Sequence, residues 1–213
     1  MAHCRLSLAL GIFASWLLVA LCALPALSAA EPQLLGRTRD QWLADLDPNV
    51  DRRKRTLAAW ALSEMAVQQA EGPDKLIWLN ELLLLCEDES GTIRYWALAG
   101  VRRFALKLPA DHAGRATAVT LFSDALIDSS VACRIVAAEG LTVLGAADKG
   151  LPVLVGTLAN PQEAARIQAV SALERLGDTA QPAEQALQAA TKDSSEYVKR
   201  ISSRALEKLQ PPR

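Results

Sequence analysis

One frame recurs five times along this chain and constrains its fold more than any other feature. It reads (D/N)-x5-(R/K)-x2-(A/S)-x2-(A/G)-(L/V). The copies are Asn49, Arg55, Ala58, Ala61, Leu62; Asp88, Arg94, Ala97, Gly100, Val101; Asp128, Arg134, Ala137, Gly140, Leu141; Asn160, Arg166, Ala169, Ala172, Leu173; and Asp193, Lys199, Ser202, Ala205, Leu206. Their basic anchors lie 39, 40, 32 and 33 residues apart. Self-similarity at such a period marks a stack of like units. Positions +3, +6 and +7 from an anchor share one helical face. Alanine and glycine there let a neighbouring helix come close, and the aliphatic side chain fills the remaining gap.

Each anchor helix (B) follows a second apolar, helix-compatible stretch (A): "RDQWLADL", "DKLIWLNELLLLC", "RATAVTLFSDALI", "KGLPVLVGTLA" and "PAEQALQAAT". Thr38 with Gln41 reads as a capping box. Pro48, Gly145, Gly177 and "NPQ" mark turns. Pro152 and Pro182 are expected near helix starts, where a missing N–H costs little. No run of β-branched residues alternates far enough to read as a strand. The pattern therefore predicts about ten short helices in five A/B pairs. One pair cannot bury its own apolar faces, whereas five stacked pairs share a continuous core. The charged last helix, with Lys199, Arg200, Arg204, Glu207 and Lys208, suits a terminal cap. The Asn or Asp of each frame is expected in the A–B turn, accepting orphan N–H groups of helix B or pairing with an arginine of its own or the adjoining unit. A carboxylate present once per unit is read as a strut rather than as chemistry.

The A/B pairs, the Asp-x5-Arg spacing and the small-residue face of helix B resemble HEAT repeats over about residues 36–209. The units of 32 and 33 residues are similar to the bacterial HEAT-like subclass also found in phycobilisome lyases. The stretch from Arg134 onward is also similar to HEAT tails of some exported bacterial sulfatases. No Cys-x-Pro-x-Arg-type site occurs in the sequence, so sulfatase activity is not implied. The resemblance implies an all-α, armadillo-like α-solenoid over residues 31–213 that binds another protein.

Residues 1–30 read as a secretory signal peptide: a basic start, a charge-free run from Leu6 to Leu24, and small Ser28 and Ala30 ahead of Glu31. An uncleaved anchor is the alternative, since 19 such residues just reach across a bilayer. Cleavage predicts an exported, periplasmic or secreted domain with no membrane attachment. That domain has 22 basic and 24 acidic residues, a balance that points to neither nucleic acid nor an anionic membrane. Cys86 and Cys133 remain, and two cysteines make no disulfide framework. Buried small hydrophobes are the expected reading, with a single bridge left open.

Catalytic constellations are not evident. His112 is the one histidine after residue 30, and its stretch "LPADHAG" reads as a loop. HExxH, CxxC and His-Glu pairs are absent from the sequence, so no metal, cofactor or catalytic residue is expected. Binding is expected instead at positions +1, +5 and +8 of the B helices, on the concave side. These give the candidates Trp60, Tyr95, Arg102, Glu139, Thr142 and Glu174. Aromatic and arginine side chains dominate binding hot spots, although Trp60 and Tyr95 also suit packing between the first two units. "DRRKR", Asp51 to Arg55, reads as solvated surface plus one structural Arg55. The leading functional reading is a non-enzymatic exported scaffold. The alternative is an accessory or activator of a secreted enzyme, or a lyase-like enzyme.

Overall fold

The computed structural model describes residues 31–209, so the expected signal segment lies outside the described residues. The chain divides after Gln33, and the unit beginning at Leu34 holds all the helices found among the described residues. It opens on a tight reversal in which Leu35 and Gly36 have φ of 53° and 74°. Two positive φ values in succession fit a type I′ turn. Two-residue extended segments, Gln33–Leu34 and Arg37–Thr38, flank this turn; the sequence pattern had not signalled them.

The helices alternate as expected. The A layer is α1 (Arg39–Ala44), α3 (Lys75–Leu85), α5 (Ala113–Ala125), α7 (Ala147–Thr157) and α9 (Glu184–Ala190). The B layer is α2 (Arg52–Gln68), α4 (Gly91–Lys107), α6 (Val131–Val143), α8 (Glu163–Leu176) and α10 (Glu196–Leu209). Successive B helices pack on one another, and each A helix packs against its own B helix. The capping box forms as read: Thr38 Oγ1 accepts from Gln41 N, and Gln41 Oε1 accepts from Thr38 N at 2.9 Å. Pro182 lies just ahead of a helix start, as expected, whereas Pro152 does not. Helix α7 starts at Ala147, which puts Pro152 beyond the first turn, on an exposed face. Pro182 falls in a 3₁₀ segment, Gly177–Ala183, that leads into the short α9.

The small-residue face is the buried face. Ala58, Ala61, Ala97, Val101, Ala137, Leu141, Ala169 and Ala172 are all 0% exposed. Two positions need glycine for close approach. A Cβ on Gly150 would lie 2.2 Å from the Ala138 carbonyl oxygen, so α7 rides directly on the backbone of α6. A Cβ on Gly140 would lie 2.6 Å from the Phe122 ring. Hydrophobic burial gathers into two clusters. The first is aromatic, with Trp42, Trp78, Phe104 and Phe122. The second is aliphatic and alanine-rich, from Ile135 to Ala205. Helix α6 contributes to both.

Cys86 and Cys133 are free and buried within the first cluster. Burial pushes both thiols up from their ordinary range, and Cys133 Sγ donates to the Gly91 carbonyl at 3.3 Å.

Candidate protein-binding surface

The repeat frame builds a ladder along the N-terminal ends of the B helices. At three places an arginine of one unit pairs with the aspartate of the next. Arg94 grips Asp128 with both Nε and Nη2, at 2.8 and 2.7 Å. Arg166 grips Asp193 in the same way, at 2.9 and 3.0 Å, and Arg55 reaches Asp88 at 3.1 Å. Each aspartate also accepts a backbone N–H at the start of its own B helix, from Ser90, Ser130 or Ser195, at 2.7 Å. The Arg94 and Arg166 guanidiniums hold the Asp128 and Asp193 carboxyls below the usual carboxylate range.

Two rungs differ. Unit four carries neutral Asn160, which accepts from Gln162 N at 2.9 Å. Arg134 has no carboxylate partner among the described residues and donates to the Asp128 carbonyl. Asn49 does not cap its helix. Its N and Nδ2 donate to Asp47, while Asp51 caps α2 by accepting from Arg53 N at 2.9 Å. The Asx turn at Asp47 takes Asn49, and Asp51 stands next to the helix start. Lys199, in the last unit, pairs locally with Glu196.

The proposed binding stripe divides. Glu139 and Thr142 are each 2% exposed and are removed from it. Both lie on α6, where B helices from either side close over Glu139 and Gly150 of α7 packs against Thr142. Thr142 Oγ1 donates to the Ala138 carbonyl at 2.8 Å. Glu139 is clasped by Arg102 from α4 and by Arg175 from α8, the latter with two bonds of 2.8 Å. Arg102 therefore joins an internal network. Glu174 is also paired, with Arg204 and Lys208 of α10. Burial opposes its ionisation, but those two cations outweigh it and hold the carboxyl below its usual range.

Trp60 and Tyr95 remain partly exposed while packing on the first cluster. Each lines a surface cavity. One, of about 420 Å³, is bounded by Arg53, Thr56, Leu57, Trp60 and Trp96. The other, of about 430 Å³, is bounded by Arg52, Ser90, Gly91, Thr92, Tyr95, Ser130, Ala132 and Gln168. Arg52 and Arg53 are neighbours on α2, and Tyr95 and Trp96 are neighbours on α4. The Tyr95 and Trp96 rings meet edge to face, with centroids 5.2 Å apart. The two cavities thus adjoin through a shared aromatic wall. Sequence reasoning missed Arg52, Arg53, Leu57, Trp96 and Gln168, although the basic run and the adjacent Tyr-Trp pair were legible signals.

His112 lines neither cavity; its Nδ1 accepts from Gly114 N at 3.0 Å and caps α5. Among the described residues no cluster of three or more His, Cys, Asp or Glu side chains is placed to hold a metal ion.

Solved structures share this architecture. An engineered protein aligns with a TM-score of 0.53 and 18% identity, covering 80% of this chain and 78% of its own. A designed armadillo repeat protein in complex with the peptide (KR)4 aligns at 0.54 and 20% identity, covering 80% and 81%. The complex of CpcE and CpcF of phycocyanin lyase from Nostoc aligns at 0.54 and 20%, covering 85% and 67%. Identities of this size establish the fold alone. The chain is an all-α repeat solenoid of the armadillo/HEAT-like kind. No family model matches the sequence. No curated protein matches it either.

Proposed function

We propose that this chain is a non-enzymatic, exported scaffold that docks another protein on its B-helix surface around Trp60, Trp96 and Tyr95. One observation carries the reading: three aromatic rings from α2 and α4 wall two adjoining open cavities instead of being sealed in the core. Partly exposed aromatic clusters are the usual anchors of protein interfaces. The neighbours support a protein partner in general, since one is solved with a peptide and another as a two-protein complex. Export is supported by the pattern of residues 1–30.

Site-specific photo-crosslinking tests this. A photoreactive residue at position 60 is expected to trap a defined partner, and one at the exposed Ile127 (90% accessible) is not. The trapped protein, once purified, should bind wild type at least about tenfold more tightly than Trp60→Ala. Equal trapping at both positions sinks the proposal. A partner enzyme whose turnover rises on adding this chain would favour the accessory reading, which the lyase-complex neighbour keeps in view.

A further inference from the structure

Two neighbouring arginines stand beside the aromatic wall without any assigned task. Arg52 and Arg53 are exposed on the first turn of α2. Among the described residues neither guanidinium forms a salt bridge; the paired cations are elsewhere. Asp51, the nearest carboxylate in sequence, is turned to the backbone N–H of Arg53 as the helix cap. Each arginine borders a different cavity. Arg53 borders the apolar one with Leu57, Trp60 and Trp96, while Arg52 borders the polar one, where Tyr95, Thr92, Ser130 and Gln168 supply hydrogen-bonding groups.

We infer that the surface takes an extended acidic segment of its partner, in which a large apolar side chain is followed or preceded by a carboxylate. The inference rests on the protein-docking reading above and adds the chemistry of the occupant. The apolar side chain enters between Trp60 and Trp96, against Leu57. The carboxylate lies in the adjoining cavity on Arg52, a forked donor suited to planar anions. Charge complementarity sets the sign. Two unpaired guanidiniums repel a basic segment and attract an acidic one, and their exposure makes the attraction sensitive to salt. The designed neighbour, solved with the basic peptide (KR)4, illustrates the opposite demand on the same architecture.

The test is calorimetric titration of the full chain with three capped hexapeptides sharing a Leu-Phe centre and flanked by aspartates, serines or lysines. The aspartate peptide is expected to bind at least about tenfold more tightly than the serine peptide, and the lysine peptide not measurably. Its affinity should fall severalfold between about 0.05 and 0.5 M salt. Arg52→Glu/Arg53→Glu changes exposed side chains only, so it should keep the wild-type circular dichroism while abolishing the preference for aspartate. Trp60→Ala should weaken the aspartate and serine peptides alike, and Arg200→Glu on α10 should change nothing. Equal binding of the aspartate and serine peptides, or a preference that survives the double reversal, overturns the acidic occupant while leaving the docking surface standing. No binding by any peptide also overturns it, and the crosslinking experiment then judges the docking reading separately.

Discussion

The first two units and the last two build the same hairpin from different materials. Helices α2 and α4 each have 17 residues, whereas α6, α8 and α10 have 13 or 14. That difference, with a shorter stretch from the end of each later B helix to the following A–B turn, explains why the anchors are 39 and 40 residues apart early and 32 and 33 later. The long helices enclose an aromatic cluster, and the short ones an alanine-rich cluster. Alanine and glycine let short helices pack close with few atoms. Aromatic residues add bulk between the layers, and some of their rings reach the surface. The open cavities with Trp60, Trp96 and Tyr95 belong to the aromatic part. The difference shows how one repeat supplies both an end with open aromatic cavities and a plain, tightly packed end.

The largest effect should come from the cores. Phe104→Ala in the first cluster should cost about 3–5 kcal/mol, and Leu187→Ala in the second about 2–5 kcal/mol. Both residues are 0% exposed. The described tryptophans, Trp42, Trp60, Trp78 and Trp96, all lie in the first two units, so their fluorescence reports that part. Stacked units share stability through their interfaces. Leu187→Ala should therefore shift the fluorescence transition together with the circular dichroism transition. Separate transitions would show that the two parts unfold independently and that α6 does not join them.

Glu139→Gln tests the join itself. Removing the charge clasped by Arg102 and Arg175 leaves Arg102 short of its partner and should cost about 3 kcal/mol in a denaturant titration. A loss below about 0.5 kcal/mol would reduce the clasp to the level of a surface pair.

Asn160→Asp is expected to act in the other direction. It restores at Arg134 the rung seen at Arg94 and Arg166, adding about 0.5–1 kcal/mol. No gain in thermal stability would mean that the spacing between units three and four does not admit the pair.

The smallest effect is at acid pH. Asp128 and Asp193 have depressed folded-state pKa values. Their stabilisation is therefore present above the unfolded carboxylate value of about 3.9 and is lost as pH falls through the lower folded values. Asp128→Asn should flatten stability against pH below about pH 4 and leave the histidine range unchanged.

Much of this was legible because periodicity reports local geometry. The small residues at +3 and +6 announced the buried face of every B helix, and Thr38 with Gln41 announced a helix start. The binding stripe was only half legible. Glu139 and Trp60 occupy the same +5 position, yet α6 is closed over on both sides while α2 is the first B helix and has a B-helix neighbour on one side only. Trp96 was missed because it sits at +2, as do Leu57 and Gln168, a position outside the +1, +5 and +8 stripe that nonetheless lines both cavities. Asn49 fitted the frame by type but lost its role to Asp51, which stands nearer the helix.

The sequence alone determined the repeating unit, its helical character and its inward face, since these follow from residue spacing along a single helix. Which arginine grips which aspartate, which stripe residues are covered and where open cavities form were decided by tertiary structure. Those properties depend on the distance between neighbouring units, and spacing within one helix carries no measure of that distance.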